Sequence, residues 1–241
     1  MHYAIIAAGH GSRLSSEGVA TPKPLVKLGG KPLIKRLIDM FTANDAESIH
    51  IITNPAMTEV TQYLREISGT IGVPLHVTAL ATPSSMHSLE ALHLGSLGGK
   101  VCVTTVDTVM RADDFSAYIS AFRADSTSDA FMAVTPYIDD EKPLYVEVDT
   151  LTMDITAFLD STPSDPHYVS GGVYGLTPAA FDTLSRCVAA GESRMRSFQR
   201  ALVKSGLRVK AFPISKIVDV DHASDIAEAE KVIDHDPYII S

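Results

Sequence analysis

The sequence predicts an α/β fold in three layers, Rossmann-like, with a mixed but mainly parallel central sheet between helices. Two observations carry this. The first 106 residues alternate short apolar runs with helix-period segments in the order β-α-β-α-β-α-β, and that alternation calls for a parallel sheet covered on both faces. Beyond residue 125, runs of strand character follow one another closely, which calls for a mixed or antiparallel second half.

Tyr3 to Ala8 is a short apolar run and reads as a buried strand. Leu33, Ile34, Leu37, Ile38 and Phe41 share one face of a helix with Pro32 at its first turn. Ser48–Thr53 is the second strand, stopped by Asn54-Pro55. Met57, Val60, Leu64 and Ile67 mark the second helix, and Gly72-Val73-Pro74 separates it from a strand at Leu75–Leu80. Met86, Leu89, Leu92, Leu94 and Leu97 mark a third helix before Gly98-Gly99, and Val101–Val106 is the fourth strand. A short helix follows from Asp113-Asp114 to about Ala124. Strands are predicted at Ala130–Thr135, Leu144–Val148, Met153–Phe158, Tyr168–Leu176, Leu207–Pro213 and Ile217–Val220. Helices are predicted from Pro178 to about Ala189, over Ser193–Lys204, and after Asp221, with Ile226, Ala229 and Ile233 inward. Asp160–Pro166 reads as a surface loop, and Asp236–Ser241 receives no assignment.

Length and composition narrow the function. The 241 residues are 45% hydrophobic, enough for one large domain with a substantial core. No Gly-, Ser- or Pro-rich linker divides them, so residues 1–241 read as a single domain with halves 1–125 and 126–241. The net charge of −9 and the lack of a basic run argue against nucleic-acid binding. Cys102 and Cys187 have no metal-ligand spacing, and Cys102 sits in an apolar strand as a buried thiol. The amino-terminal apolar run is too short for a signal peptide or a membrane span, so a cytoplasmic protein without membrane contact is expected.

The chemistry starts at the end of the first strand. Gly9-His10-Gly11-Ser12-Arg13 turns the chain where backbone N–H groups can approach an anion without a Cβ between. A P-loop is excluded: neither Gly30-Lys31 nor Gly99-Lys100 has the required Ser/Thr after it. The dinucleotide fingerprint is incomplete, because Leu14 stands where its third glycine belongs. Further along, Lys23 lies between Pro22 and Pro24, which predicts an extended, aimed lysine. Asp107 closes an apolar strand, where ligands of such sheets sit. Asp219 and Asp221 alternate by two and so point to one side of a strand, and Asp221 is also placed to cap the helix after it.

Taken in order, Ala7-Ala8-Gly9-His10-Gly11-Ser12-Arg13-Leu14, Pro22-Lys23-Pro24-Leu25, Gly30-Lys31-Pro32-Leu33, Asp107 and the closing Asp219-Val220-Asp221 resemble the signature of the nucleoside-triphosphate transferase family, the sugar-phosphate nucleotidylyltransferases and their phosphocholine cytidylyltransferase relatives. The resemblance implies the nucleotide-diphospho-sugar transferase fold. It also implies an Mg2+-dependent transfer of NMP from an NTP to a phosphomonoester, with release of pyrophosphate. It assigns Arg13 to the β- and γ-phosphates, Lys23 to the α-phosphate, Ala7, Ala8, Gly9, His10, Gly11 and Ser12 to the NTP, and Asp107, Asp219 and Asp221 to Mg2+. A reaction of this kind is catalysed mainly by positioning and electrostatics, and the sequence carries no convincing catalytic triad.

The substrate-reading segments depart from the usual pattern. Ser84-Ser85-Met86-His87-Ser88-Leu89 is similar to the Asn-Asn-Ile-Tyr-Ser-Leu run of the phosphocholine cytidylyltransferase branch. It places Ser84, Ser85 and Ser88 on the base, with CTP or UTP favoured. Ser170-Gly171-Gly172-Val173-Tyr174 resembles the acceptor-lining Asn-Ala-Gly-Ile-Tyr segment and assigns Gly171 and Gly172 to the acceptor, with Glu147 as a hydroxyl ligand and Lys142 and Lys216 for its phosphate. Many members carry Gly-Asp or Asn-Asp where this chain has Val106-Asp107. That departure motivates an alternative, a nucleotide-binding regulatory module of the same fold without turnover. No hexapeptide repeats follow the domain, so a second acyltransfer activity is not expected.

Overall fold

The computed structural model describes residues 1–138, 141–162 and 168–233. The first half runs β1 (His2–Ala7), α1 (Ser12–Ser16), a 3₁₀ turn (Lys23–Leu25), β2 (Lys27–Leu28), β3 (Lys31–Pro32), α2 (Leu33–Ala43), β4 (Ser48–Thr53), α3 (Thr58–Ser68), β5 (Leu75–Ala79), α4 (Ser85–Ala91), a second 3₁₀ turn (Leu94–Leu97), β6 (Val101–Thr105), β7 (Thr108–Val109) and α5 (Ala112–Ala124). The second half adds β8 (Ala130–Thr135), β9 (Tyr145–Val148), β10 (Ile155–Leu159), β11 (Tyr168–Leu176), α6 (Pro178–Ala189), α7 (Met195–Lys204), β12 (Val209–Pro213), β13 (Val218–Asp219) and α8 (Ala223–Ile233).

One nine-stranded sheet runs through both halves in the order β10-β9-β11-β6-β1-β4-β5, with β8 also paired to β11 and β12 to β8. The β5-β4-β1-β6 portion is parallel; β11 enters antiparallel to β6, β8 and β9, and β12 returns parallel to β8. This is the mixed, mainly parallel sheet predicted.

Strand alternation sorts the core. On β1, Ala4 and Ile6 face one layer, whose helices contribute Met86, Leu89, Phe181, Leu184, Phe198 and Leu202. Tyr3, Ile5 and Ala7 face the other, where Ile34, Leu37, Phe41, Leu64, Phe115 and Phe122 pack. Cys102 lies in this second cluster, fully buried, and burial pushes its thiol above the ordinary range. A third cluster joins Leu14, Leu28 and Leu33 to Val109, Val220, Ala229 and Ile233, packing the ends of the chain together beneath the strand ends. The strand order reverses between β1 and β6, the place where such sheets open a ligand crevice.

Several elements differ from expectation. The third helix ends at Ala91; His93 takes a left-handed conformation (φ 49°) and the chain continues as a 3₁₀ turn that still buries Leu94. Lys23 opens a 3₁₀ turn and is not extended: the Leu25 N–H bonds to Pro22 O at 2.8 Å, and burial of Lys23 and Pro24 outweighs the pre-proline preference. α1, the small β2–β3 hairpin and β7 lack a periodic apolar signature and were not legible, whereas β13 falls within the strand predicted at Ile217–Val220. The loop predicted at Asp160–Pro166 and the tail after Ile233 fall largely outside the described residues. Among the described residues no helix is long and apolar enough to cross a membrane.

Candidate active site

Lys23 is the centre of the site. Its ammonium donates to Asp107 Oδ2 at 2.5 Å and to Asp221 Oδ1 at 2.6 Å. The three residues come from a proline-framed turn, the end of β6 and the start of α8, so the fold alone brings them together. Burial by itself would lower the Lys23 pKa, but the two carboxylates more than offset it and the ammonium is held charged. Asp221 shows the counterpart: burial favours its neutral form, yet Lys23 and then Arg13 keep its carboxyl below the usual range. Arg13 Nη1 reaches Asp221 Oδ2 at 2.6 Å from the exposed side.

The glycine loop wraps this centre. Gly11 has φ +60°, and a Cβ there would lie 3.0 Å from Lys23 Cβ, so the loop and the lysine are in contact through the glycine. A Cβ on Gly9 would meet nothing within 4 Å, leaving its backbone open to a ligand. Ala8, Gly9, His10, Gly11, Ser12, Arg13 and Lys23 line a cavity of about 390 Å³ whose opposite wall is Thr82, Ser84, Ser85, Ser88, Thr105 and Asp107. Ala7 does not line it: its side chain is buried in the α2 layer. Ser84 caps α4 and contacts His87 Nδ1 at 2.9 Å. Ser88, 1% exposed, bonds to Ser84 O and Thr82 Oγ1 and so holds the wall in shape.

Among the described residues no three His, Cys, Asp or Glu side chains converge as a closed metal site. Two carboxylates do meet around one cation, the Lys23 ammonium. That fits Mg2+, which takes one or two carboxylates with phosphate oxygens and water completing its shell. Asp107 and Asp221 would hold it. Asp219 stands beside them, accepting from Thr108 Oγ1 at 3.0 Å. Asp219 opens to the cleft, but the protein mass around it and then the Asp107 charge push its carboxyl above the usual range. Asp221 is not the cap of α8. Both its oxygens are taken by cations, and Asp225 Oδ2 instead accepts from the Asp221 and His222 N–H groups at 2.9 and 2.6 Å. An acidic residue three positions into a helix is a legible capping signal that identifies Asp225.

A second cavity of about 370 Å³ adjoins the first and shares Ser84, Ser85, Thr105 and Asp107 with it. Its walls include Leu144, Ser170, Gly172, Tyr174, Arg194, Arg196, Gln199 and Asp219. Gly172 has φ +71°, and a Cβ there would strike Thr108 Oγ1 at 2.3 Å; on Gly171 it would strike Ile217 Cδ1 at 2.3 Å. Both glycines thus exist for close approach inside a strand, with Gly171 lining a neighbouring crevice. Glu147 is not brought to the site. It is exposed on β9, lines none of these cavities, and its carboxylate accepts from Thr156 Oγ1 across the hairpin. The Lys216 ammonium is engaged by Glu228 and lies 4.3 Å from the Tyr137 ring centre, leaving the acceptor side without it. Gln199 (2% exposed, donating to Ser170 Oγ at 2.6 Å), Thr108 and Arg194 are additions that no sequence spacing marked.

Over 242 residues the chain is 25% identical to the bifunctional protein GlmU of Pelotomaculum thermopropionicum, covering 95% of this chain and 51% of that one. A 44-residue stretch is 41% identical to the glucose-1-phosphate cytidylyltransferase of Salmonella typhimurium, 18% of this chain and 17% of that protein. The chain thus spans about half the length of GlmU. Among solved structures, the inositol-1-phosphate CTP transferase of T. maritima superposes with TM-score 0.79 at 18% identity, covering 97% of this chain and 96% of that one. The CTP:phosphocholine cytidylyltransferase LicC of Streptococcus pneumoniae gives 0.72 at 19% identity, covering 96% and 98%. These likenesses establish the nucleotide-diphospho-sugar transferase fold. The model of the MobA-like NTP transferase domain matches residues 3–206, and the chain belongs to that family.

Proposed function

We propose that this protein transfers a nucleoside monophosphate from an NTP, CTP first, to a sugar- or polyol-phosphate acceptor and releases pyrophosphate. The observation that carries the reading is the convergence of Lys23, Asp107 and Asp221 beside the glycine loop. In the reaction an acceptor phosphate oxygen forms the new bond to the α-phosphorus as the bond to the β-bridging oxygen breaks. The electron pair leaves with pyrophosphate. The acceptor is already anionic, so no strong base is needed, and charge neutralisation and alignment dominate. The loop N–H groups and Arg13 receive the β- and γ-phosphates. Lys23 turns to the α-phosphate, where its charge offsets what accumulates at phosphorus. Asp107 and Asp221, with Asp219 alongside, would hold Mg2+, which would supply further charge neutralisation on the triphosphate. Ser84 and Ser85 line the end of the cavity assigned to the base. CTP is placed first because the T. maritima, S. pneumoniae and Salmonella relatives are named as cytidylyl or CTP transferases.

The test is pyrophosphate release with each of four NTPs, Mg2+ and a panel of phosphomonoesters. CTP with at least one polyol or sugar phosphate should turn over, and Asp107→Ala should slow it by about 100-fold or more. No release across the panel, together with no calorimetric binding of any NTP, defeats the proposal.

A further inference from the structure

The acceptor cavity is not closed at its far side. Arg194 and Arg196 line both it and a third cavity of about 610 Å³ on the side away from the nucleotide. Three cavities therefore form one trough: the first two share Ser84, Ser85, Thr105 and Asp107, and the last two share the arginines. The reacting acceptor phosphate belongs near Asp107 and Lys23, at the first junction. The arginines stand at the second, one cavity further on.

That junction is cationic in an acidic chain. The outer cavity is lined by four cations, Lys142, Arg194, Arg196 and Arg200, and two carboxylates, Glu141 and Asp160, whereas the chain as a whole carries −9. Asp160 is already engaged by Arg196 at 2.9 Å and by Arg200 at 2.7 Å. Arg194 is exposed and, among the described residues, its guanidinium has no hydrogen-bond or ion-pair partner. It precedes α7, whose first turn has no side-chain cap and adds its own partial positive charge. The opposite chemistry is missing. The chain has no Trp, and among the described residues one aromatic side chain lines each cavity, Tyr174 the acceptor cavity and Tyr145 the outer one, so neither resembles the aromatic cage that binds quaternary ammonium.

We propose that the acceptor carries a second anionic group, a carboxylate or a second phosphate, at the end remote from the attacking phosphate, and that Arg194 with Arg196 binds it. This rests on the nucleotidyl-transfer reading above. Arginine suits the task because its planar fork pairs with either oxyanion. Arg196 is pre-positioned by Asp160 and by Lys142 O at 3.1 Å, and Arg194 supplies the uncompensated charge.

The experiment compares matched acceptors with one NTP and Mg2+: glucose 1-phosphate, glucose 1,6-bisphosphate, glucuronic acid 1-phosphate and phosphocholine. The wild type should favour the bisphosphate or the uronic acid over glucose 1-phosphate by at least about 10-fold in kcat/KM, the size of one charge-assisted contact. Which of the two wins identifies the distal group as phosphate or carboxylate. Arg194→Ala should collapse that ratio toward one through the acceptor KM, and Arg194→Lys should restore part of it. Calorimetric binding of the same acceptors reads the site without turnover. Acceptor discrimination that depends on Arg194 in the absence of pyrophosphate release would defeat the reaction and keep the site. Equal binding of glucose 1-phosphate, the bisphosphate and the uronic acid, preference for phosphocholine, or a ratio unmoved by Arg194→Ala overturns the inference.

Discussion

Glu17 and His222, 205 residues apart, are joined by a hydrogen bond from His222 Nδ1 to Glu17 Oε1 at 2.6 Å, and the second Glu17 oxygen accepts from the Ala223 N–H at 2.7 Å. The end of the nucleotide loop is thereby fastened to the first turn of α8, next to Asp221. Glu17 acts as a cap supplied from a distant part of the chain. Glu17→Ala should raise the KM for NTP several-fold more than it lowers kcat. It should also speed amide exchange in residues 9–20, while Glu17→Gln, which keeps an acceptor oxygen, recovers part of the loss. Equal effects on KM and kcat, with unchanged exchange, would count against a positioning role.

Lys23 fills the space between Asp107 and Asp221 with its own charge. Lys23→Met should reduce kcat by about 100-fold or more, as loss of a charge at the reacting centre does. It should also let the free protein bind Mg2+ more tightly without nucleotide, because the competing ammonium is gone. Calorimetry with Mg2+ alone checks this; weaker or unchanged binding contradicts it.

Gly172 sits at φ +71° with its missing Cβ aimed at Thr108 Oγ1. Gly172→Ala adds backbone strain and a steric clash and should cost about 1–3 kcal/mol of stability. Because Thr108 also holds Asp219, acceptor turnover should fall as well. Chemical denaturation of the variant measures the first effect and pyrophosphate release the second. A stability matching the wild type would show that β11 yields at this point.

His50 lies at the opposite end of the sheet, stacked on His76 with ring centres 4.7 Å apart, and shares Ser48 Oγ with His2. Burial, then His76 and His2, lower its pKa to about 4. The folded state thus holds His50 neutral, where an unfolded chain protonates it near 6.5. Its contribution to stability is complete above pH 6.5 and is lost as the pH falls from 6.5 to about 4. Denaturation midpoints across this window should decline in the wild type and decline less in His50→Gln. Parallel slopes would sink the assignment.

The parts of the fold that were legible are those in which a local pattern and a tertiary requirement coincide. The α2 face from Leu33 to Phe41 is buried as its spacing predicts, and β8 and β11 have the predicted limits, because a long apolar stripe has one way to be covered. Short elements held only by distant partners escaped: β7 exists because β13 pairs with it. Glu147 illustrates the same limit at the site. It lies on a predicted strand, but which way that strand's polar side chains face depends on the neighbouring β10, and the hairpin turns this one toward Thr156.

The sequence by itself determined the layered α/β architecture, the glycine loop, and the identity of the charged residues at the strand ends, since periodicity, glycine placement and residue chemistry are local properties. Tertiary structure alone decided that Lys23 bonds to Asp107 and Asp221 at once, that Glu17 fastens the loop to α8, and that the Arg194 guanidinium, with no partner among the described residues, lines both the acceptor cavity and the one beyond it. Those relationships depend on chain segments up to 206 residues apart meeting through a shared core, and no spacing along the chain encodes such a distance.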